Sequence, residues 1–466
     1  MTDLSPETGV RTLLPTWLVA VVILFHGACT SSTEPPATLE YPNVLIITMD
    51  TTRADRLGCY GYARDTTPNL DKFAEGAVVF DNAISAAAVT PVSHASIFTG
   101  RYPYRHHLRV LHGSSQNRLP DSQLTLAEVL KDVGFQTGAF LSAFPCGTQF
   151  GLNQGFDTFN EDYIRAPLDE IISSGGTVNT GANQRAAGPT TDLALKWLAR
   201  TQSPFFLWVH YFDPHDPEVL PPPKFQRKFP RPTGAMRDAL RSIYDMEISY
   251  MDQEIGRLFK TLASDGKLDQ TIVVIVADHG EGLGDHDWWT HGILYREQIR
   301  VPLIVRVPGQ TQGRRVKFLV RTVDLVPTVL ELAGVNPVPD LDGRSLVPLL
   351  KGNAPDPKYT AYADSISQLS YGFAGGIRDE KDEILFTVTD GEWKYIHHLL
   401  REPESELYHV AEDPSELHCL YAQRKDQVQR LLADLKSRNA VPPPQENNGT
   451  ISPEVLERLR SLGYLK

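Results

Sequence analysis

The chain has 466 residues, of which 22% are charged and 41% are hydrophobic, and its formal net charge is −12. This length is sufficient for a sizeable core, either in two to three domains or in one large α/β domain with a smaller companion. The excess of negative charge argues against nucleic acid as a partner, so any anionic ligand must be attracted by local positive charge.

The N-terminal segment has the pattern of an export signal. Arg11 precedes the apolar run LLPTWLVAVVILF at 13–25. This run has the length of a signal-peptide core and is too short to span a bilayer comfortably. We therefore expect residues 1–28 to be a signal peptide and the protein to be exported to the periplasm or the cell surface. Residues 29–40, rich in Ser, Thr, Pro and Glu, are expected to form a flexible tether.

Cys29 decides the form of the predicted anchor. Gly27 and Ala28 precede it, as at a bacterial lipoprotein cleavage site, whereas His26 stands where Leu is usual. Three outcomes stay open: lipidation of Cys29, ordinary cleavage near Ala28 and an uncleaved anchor. Membrane contact is expected only through this anchor. The other cysteines are too few for a disulfide framework or a metal-binding cysteine cluster; they are Cys59, Cys146 and Cys419.

Short apolar runs alternate with helical patterns between residues 41 and 350. The runs have the length and composition of strands buried on both faces, and they lie at 43–50, 204–213, 271–280 and 301–309. Amphipathic helical patterns lie at 124–134, 190–201 and 235–262. This alternation predicts an α/β domain over 41–350, with a mostly parallel central sheet flanked by helices.

From about residue 355 the pattern changes. Two segments are typical of antiparallel strands and a third is typical of a charged helix: DGEWKYIHHLL (390–400), ESELYHV (404–410) and KDQVQRLLADLKSRN (425–439). They predict a small C-terminal α+β subdomain over 355–436. The tail, 437–466, ends in ISPEVLERLRSLGYLK, which begins with a capping signal and predicts a helix packed on the body.

Acidic and imidazole side chains stand at the ends of three of the predicted strands. Asp50 ends the first strand, and Asp278 with His279 ends the third. The second strand continues into a cluster of His210, Asp213, His215 and Asp216. Ligands bind outside the carboxyl ends of strands in open α/β sheets, so these groups are expected to converge on one edge. Carboxylates gathered without matching bases repel each other, which predicts a bound divalent cation. The alternative, that each Asp only caps the following helix, is favoured for one Asp alone but not for three such strand ends.

The segment AVTPVSHASIFTGRYP at 88–103 contains a candidate nucleophile. Thr90 and Pro91 have the pattern of the N-cap and the first position of a short helix. Thr90 is then either only a cap or a nucleophile at the positive end of the helix. Beside a cation, its hydroxyl would lose its proton more readily and attack phosphorus or sulfur.

Motifs in a fixed order run from residue 41 towards the end of the chain: NVLIITMDTTRADRLGCYGY (43–62), SHASIFTGRYP (93–103), ADHGEGLGDH (277–286), HGILYREQIRVPLIVRVPG (291–309), TVDLVPTVLELAG (322–334), DGRSLVPLL (342–350) and ELYHVAEDPSE (406–416). Together they resemble the sulfatase family of the alkaline phosphatase superfamily. The resemblance implies that superfamily's mostly parallel sheet with a small C-terminal subdomain, and a hydrolase that acts on sulfuric or phosphoric esters.

The resemblance also implies one divalent cation held by four side chains. Asp50 falls on the family's first metal-binding Asp, and Asp278 with His279 falls on the later metal-binding pair. Thr51 stands where the family has a second Asp. The hydroxyl of Thr90 completes the predicted ligand set. Oxygen-rich ligation with one imidazole suits calcium, or alternatively magnesium or manganese, better than zinc.

Four residues are predicted by the resemblance to act in catalysis. Thr90 falls where sulfatases carry the Cys or Ser that is oxidised to formylglycine, and His94 replaces the Arg of that signature. His291 falls where an active-site Lys contacts the ester anion. His215 falls near a substrate-binding His.

Thr90 distinguishes this chain from ordinary sulfatases, because Thr cannot be converted to formylglycine by the known Cys or Ser chemistry. Relatives with a Thr nucleophile are phosphodiesterases and phosphoglycerol transferases. We therefore predict a metal-dependent hydrolase of sulfate or phosphate esters with Thr90 as nucleophile and an anionic ester as substrate. Two alternatives stay open: a phosphodiesterase or phospho-transferase acting on cell-surface glycans or lipids, and an inactive anion-binding homologue.

Overall fold

The computed structural model describes residues 41–109, 118–163, 184–215, 220–230, 232, 235–353, 359–367, 383–399 and 401–438. The predicted signal peptide, the tether with Cys29, Asp216 and the tail beyond residue 438 lie outside the described residues. Within the described ranges, no helix combines the length and the apolar character needed to cross a membrane.

A large sheet forms the centre of the described structure. In chain order its strands are β1 (Asn43–Met49), β2 (Val78–Ile84), β3 (Gln136–Leu141), β4 (Thr158–Asn160), β5 (Phe205–Tyr211), β6 (Thr271–Ala277), β7 (Arg300–Arg306) and β8 (Arg314–Arg321). Across the sheet their order is β4-β3-β5-β1-β6-β7-β2-β8. The neighbouring pairs from β4 to β6 are parallel, as are β2 and β8. The predicted fold class, a mostly parallel α/β sheet, is confirmed.

Eight of the described helices lie between these strands in the chain: α1 (Pro68–Ala74), α2 (Thr90–Thr99), α3 (Pro103–His106), α4 (Leu126–Asp132), α5 (Ala187–Leu198), α6 (Pro223–Lys228), α7 (Met236–Ser264) and α8 (Arg296–Ile299). Two more follow β8: α9 (Leu325–Ala333) and α10 (Val347–Leu350). Local chemistry decides where some of them begin. At the start of α4, the side chains of Thr125 and Glu128 each accept a hydrogen bond from the other residue's backbone N–H, which forms a capping box.

The central strands are buried on both faces because their apolar side chains alternate between two cores. Val274 and Val276 of β6 belong to one core, and Val273 and Ile275 belong to the other. The long helix α7 covers the second face with apolar residues such as Ile255. This double coverage explains why the strands appear in the sequence as nearly continuous apolar runs.

Strand β7 is antiparallel to both of its neighbours, β6 and β2, so it is the exception to the predicted parallel order. The segment between β6 and β7 contains only the single-turn helix α8 and no long crossover helix. The chain therefore stays at the carboxyl edge of β6 and β7 runs back from that edge. This keeps His279 and His291, which lie in this segment, close together near that edge.

A second, antiparallel sheet is built from β9 (Ala361–Ser367), β10 (Glu383–Thr389), β11 (Trp393–His398) and β12 (Glu406–His409), in the order β12-β11-β10-β9. Helix α11 (Lys425–Ser437) packs on it through Val428, Leu431 and Leu435. The predicted strands and helix of the C-terminal region are thus present. The limits of the predicted subdomain, 355–436, stay a prediction.

Strand register brings the predicted strand ends to one edge. Met49 of β1 pairs with Tyr211 of β5 on one side and with Ala277 of β6 on the other. Asp50 and Asp278 therefore leave adjacent parallel strands at the same level, which is where ligands bind in such sheets.

Candidate active site

The carboxyl ends of β1 and β6 place three predicted metal ligands together. Ligand atoms of Asp50, Asp278 and His279 lie within 4.8 Å of one another, and all three side chains are fully buried. The backbone N–H of Asp50 donates to the carbonyl of Tyr211 at 2.8 Å, which ties this end of β1 to β5. The geometry therefore agrees with the shared edge that the sequence predicted.

Asp278 is held by hydrogen bonds to one carboxylate oxygen and to its backbone carbonyl. Its Oδ1 accepts the backbone N–H groups of Thr51 at 3.2 Å and of His279 at 2.8 Å. Its carbonyl accepts the hydroxyl of Ser93 at 2.7 Å and that of Ser85. Because Ser93 belongs to α2, these bonds fix the metal-ligand segment against the helix that carries Thr90. They leave Oδ2 free to face the interior of the site.

The hydrogen bonds of His279 define its tautomer. Its Nδ1 lies 3.0 Å from the carbonyl of Gly280, which can only accept, so Nδ1 carries the proton. Nε2 is therefore unprotonated, and it faces Thr90 Oγ1 at 3.1 Å. Burial lowers the pKa of His279 to about 4, so the ring is neutral at pH 7. A neutral imidazole with this lone pair can ligate a cation or accept the Thr90 proton.

Thr90 occupies the first position of helix α2, and Val89 occupies the N-cap with extended backbone angles, φ −141° and ψ 125°. The predicted helix thus begins one position earlier than its pattern indicated, and the prediction that Thr90 is the N-cap is wrong. Its hydroxyl instead contacts His279 and lies close to Asp50, whose pKa it partly lowers. The position suits a nucleophile, because the N-terminal end of a helix carries partial positive charge.

Three buried oxygens around this group have no hydrogen-bond partner within the described residues: Asp50 Oδ1, Thr51 Oγ1 and Asp278 Oδ2. Buried polar atoms are almost always satisfied, so a set of orphans at one place indicates a missing ligand. Thr51 also has φ +48°, which is strained for a β-branched residue and is typical of functional sites. The donor set and the orphaned oxygens fit a divalent cation.

The electrostatics of the site lead to the same conclusion. Burial and the neighbouring charge of Asp278 raise the pKa of Asp50. Burial raises the pKa of Asp278 to about 6 and that of the nearby Glu281 to about 8. Carboxylates held together in a buried place resist ionisation unless a cation compensates them. The buried carboxylates therefore need compensating positive charge, which a bound cation would supply.

His210 is a site residue to which sequence reasoning assigned no role. Its Nε2 lies 3.1 Å from Asp50 Oδ2, and both side chains are fully buried. The sequence placed it only in the His and Asp cluster expected at this edge, without a role of its own. Asp213, from the same sequence cluster, does not join the site; its Oδ1 accepts the backbone N–H of Ala187 at 2.9 Å and caps α5. Asp213 thus caps a helix that precedes it in the chain, whereas the capping alternative expected it to cap the following helix.

His94, a predicted catalytic residue, contacts the backbone of Thr90 rather than its hydroxyl. Its Nδ1 donates to the carbonyl of Thr90 at 2.8 Å, and its Nε2 lies 3.0 Å from Thr48 Oγ1. Thr48 in turn accepts the indole N–H of Trp208 at 2.9 Å. Burial lowers the pKa of His94, which keeps the ring neutral. This chain of hydrogen bonds gives His94 a positioning role for Thr90.

A second group of possible metal donors lies behind the first. Ligand atoms of His94, Cys146 and His210 lie within 4.8 Å of one another, and Cys146 is a buried free thiol, as expected. However, both ring nitrogens of His94 already take part in hydrogen bonds, so the group does not offer three available donors. We therefore assign it to the support of the first site.

His215 and His291, the remaining predicted catalytic residues, lie together. Their Nε2 atoms are 3.2 Å apart, and His291 Nδ1 donates to the carbonyl of Ala88 at 3.0 Å. Burial and the neighbouring ring of His291 lower the pKa of His215, so the pair is neutral. Because His291 carries its proton on Nδ1, the proton between the two Nε2 atoms belongs to His215. The ring of His291 also lies 4.4 Å from that of His279, between centroids, which connects the pair to the metal-ligand group.

Comparisons with known proteins agree with this geometry. A family model described as Sulfatase matches residues 42–335, and one described as N-sulphoglucosamine sulphohydrolase, C-terminal, matches 284–440. The chain is 28% identical to the ulvan-active sulfatase of Formosa agariphila, over 72% of this chain and 69% of that protein. It is 26% identical to an arylsulfatase of Clostridium perfringens, over 84% and 93%. It shares a fold with the phosphonate monoester hydrolase of Agrobacterium radiobacter, with a TM-score of 0.67, 23% identity and coverage of 85% and 95%.

Proposed function

The chain belongs to the sulfatase family and is a hydrolase of sulfuric or phosphoric ester bonds; on that premise, we propose that it is metal-dependent and that Thr90 is its nucleophile. The observation that carries the proposal is the 3.1 Å contact between Thr90 Oγ1 and the unprotonated Nε2 of His279. This contact lies within the buried cluster that contains Asp50 and Asp278, each of which has one oxygen without a hydrogen-bond partner among the described residues.

Asp50, Asp278, His279 and Thr90 would hold the cation. When bound, it supplies positive charge that favours the alkoxide form of Thr90 and stabilises the charge of the transferred group. Oxygen donors outnumber the single imidazole, which supports calcium, or alternatively magnesium or manganese, over zinc.

In the proposed reaction, Thr90 Oγ1 forms a bond to phosphorus or sulfur while the bond to the leaving oxygen breaks. Asp50 faces the hydroxyl and is the acceptor available for its proton, because the single lone pair of His279 Nε2 would be taken by the cation. The proton taken from Thr90 passes to the leaving oxygen, and the N–H of His215 Nε2 donates a hydrogen bond that stabilises the charge developing there. Water then attacks the Thr90 ester and restores the hydroxyl. His94 keeps the backbone of Thr90 in place throughout.

A Thr nucleophile favours phosphorus over sulfur. A phospho-threonine can be hydrolysed directly, whereas a sulfo-threonine lacks the elimination route that an aldehyde hydrate provides. We therefore expect phosphodiester or phosphonate monoester hydrolysis to exceed arylsulfatase activity. The relatives named above are called sulfatases and a phosphonate monoester hydrolase, so both classes of ester belong in the assay.

Intact-mass spectrometry tests the nucleophile directly. The metal-loaded protein is reacted with a model phosphodiester, a phosphonate monoester and an aryl sulfate, and is quenched at short times. We expect a phosphoryl or phosphonyl adduct that maps to Thr90 and is absent from Thr90→Ala. Thr99→Ala, at the other end of α2, is the control and should form the adduct normally. Turnover without an adduct, or an adduct in Thr90→Ala, contradicts the proposal.

The same experiment separates the alternatives. A protein that binds these esters without adduct or product is an inactive anion-binding homologue. An adduct that passes to an added alcohol faster than to water identifies a transferase. For the export prediction we propose that Cys29 carries a lipid anchor, because small residues precede it as at a lipoprotein site; mass spectrometry of the mature N-terminus from a bacterial host, with Cys29→Ala as control, tests it.

A further inference from the structure

A cavity of 430 Å³ lies on the far side of the segment that carries the metal ligands. It is lined by Arg53, Asp55, Asp285, His286, Arg296 and Arg300, among others. Its volume falls in the range of small-molecule sites, roughly 300–1,000 Å³. We refer to it as the arginine cavity. Its wall contains more positive charge than its acids can neutralise.

The acids of the arginine cavity are already engaged by other cations. Arg53 binds Asp55 at 2.7 Å and Asp285 at 2.8 Å, and Asp285 also binds Arg241 at 2.7 Å. Glu297 is bound by His286 at 2.9 Å. Each of these carboxylates is therefore already bound at contact distance, although Asp55 also acts on Arg300 and Arg296 from further away.

His286 adds a further positive charge to the wall. Its Nδ1 faces Glu297 Oε1 at 2.9 Å, and its Nε2 faces the carbonyl of Glu416 at 3.2 Å. Both partners can only accept, so both ring nitrogens must carry protons, which makes the ring an imidazolium. Although burial opposes the charged form, the bond to Glu297 raises the pKa of His286.

Arg296 and Arg300 are the cations that remain. Within the described residues, neither forms a salt bridge: Arg300 donates to the backbone carbonyl of Asp81 at 2.9 Å, and only the backbone N–H of Arg296 is bonded, to Glu416. Burial and the charge of Arg300 lower the pKa of Arg296, which shows that the two charges act on each other. Glu416 itself is bound by Lys394 at 2.8 Å. Two adjacent guanidinium groups thus share the cavity with no carboxylate of the described residues in salt-bridge contact: Asp55 and Glu416 act on Arg296 from a greater distance, and both are already bound, by Arg53 and Lys394.

We infer that the arginine cavity is a second oxyanion site, in which Arg296 and Arg300 bind a tetrahedral sulfate or phosphate group. Guanidinium groups present paired N–H donors that match such oxygens, and a bound oxyanion would supply the missing negative charge. The group comes from one of two sources: the free inorganic product, or a second charged group on a polyanionic substrate.

The backbone connects this cavity to the metal-ligand group. The N–H of Gly280, next to His279, donates at 2.7 Å to the carbonyl of Gln298, which lies between Arg296 and Arg300 in the chain. A Cβ on Gly280 would lie 2.0 Å from the carbonyl of Glu297, so the two segments are in close contact. Only these two contacting backbone segments therefore separate an anion bound by the arginines from a metal ligand.

Calorimetric titration of the magnesium-loaded protein with inorganic phosphate, and separately with sulfate, tests the site. We expect two anions per chain in the wild type. The double variant Arg296→Gln/Arg300→Gln should lose one of these two binding sites, with the affinity for that anion weakened at least about tenfold. Arg306→Gln is the matched control, because Arg306 lies at the other end of β7 and is paired with Asp269 at 2.6 Å; it should bind two.

A second measurement uses the chelated protein, in which the buried carboxylates repel anions. One phosphate should remain bound and should depend on Arg296 and Arg300. A double variant that still binds two phosphates overturns the inference. So does a wild-type chain that binds one phosphate and loses it when the metal is removed.

Kinetic measurements identify the source of the anion, and this arm rests on the proposed function, as does the count of two anions in the metal-loaded protein. If the second group of a substrate fills the cavity, the double variant raises KM for an ester with two charged groups and leaves KM unchanged for an ester with one. If the free product fills it, both KM values stay unchanged and inhibition by phosphate loses its noncompetitive component. Both results support the site, whereas no change in any of these quantities contradicts it.

Discussion

Two regions of this molecule bury charged side chains in opposite ways. At the carboxyl edge of the large sheet, Asp50 and Asp278 lie together and each has an oxygen without a hydrogen-bond partner among the described residues. Beside the C-terminal sheet, each of two comparable acids faces a base: Glu416 binds Lys394 at 2.8 Å, and Asp364 binds Arg109 at 2.9 Å. All of these side chains are almost completely buried.

The difference distinguishes a functional charge from a structural one. A buried pair compensates itself, so removing one partner damages the fold. A buried group of like charges is costly to the fold and is explained by a ligand that the chain does not itself supply. The C-terminal pairs should therefore control stability, whereas the residues at the edge of the large sheet should control binding and turnover.

The largest expected effect is on turnover at the edge of the large sheet. Thr90→Ala should lower kcat by several orders of magnitude, up to roughly 10⁶-fold, as loss of a nucleophile does in hydrolases. Its melting temperature should change little, because loss of one hydroxyl at a helix terminus costs about 1 kcal/mol. Steady-state kinetics with thermal unfolding measures both. Normal turnover by Thr90→Ala would reduce the residue to a structural role.

The next largest effect is expected on the affinity for the divalent cation. Asp278→Ala should weaken binding of the divalent cation by about 100-fold or more, since loss of even a supporting group around a metal costs 10–100-fold. Elemental analysis after dialysis measures this, with activity in parallel. Asp213→Ala is the matched control, because Asp213 follows a neighbouring strand but caps α5. Full metal occupancy in Asp278→Ala would refute the ligand set.

On the other side of the comparison, Lys394→Met should destabilise the fold by about 3–5 kcal/mol, because it leaves Glu416 buried without a counter-charge. The kcat of the folded fraction should stay close to that of the wild type. Adding Glu416→Gln should recover much of the loss, since both charges are then removed. Denaturant unfolding decides the matter, and equal stability of Lys394→Met and the wild type would contradict the structural assignment.

His94 tests whether a buried imidazole at the edge of the sheet positions Thr90 rather than transfers a proton. His94→Ala should lower kcat by roughly 10–100-fold with little change in KM. The pH profile should keep its shape, because the ring is already neutral. His94→Gln retains a donor for the Thr90 carbonyl and should recover part of the rate. A lost limb in the pH profile of His94→Ala would show proton transfer instead.

The smallest effect is on the pH dependence of stability without metal. The folded pKa of Asp278, about 6, lies above its ordinary value, so the folded state binds more protons between pH 4 and 6 and stability falls as the pH rises through that range. We expect a decrease of a few degrees in the melting temperature of the chelated protein. The metal-loaded protein should lack this decrease, and Asp278→Asn should reduce it, because burial still raises the pKa of Asp50 in that variant.

Much of the fold could be predicted from the sequence by itself, because strand and helix periods are local. The apolar run at 271–280 contains β6 (Thr271–Ala277), and the run at 204–213 contains β5 (Phe205–Tyr211). Convergence of Asp50 with Asp278 could also be predicted, since parallel strands end at one edge. The resemblance placed Thr90, His215 and His291 near that edge, and the structure brings them there.

Only the tertiary structure decided how these side chains meet. The contact between His210 and Asp50 joins residues 160 positions apart, and that between Thr90 and His279 joins residues 189 apart. The reversed direction of β7, the tautomer of His279 and the pairing of charges around the arginine cavity depend likewise on segments distant in the chain. A local pattern specifies which face of an element is apolar, but the partner of a buried polar atom is set by packing between elements.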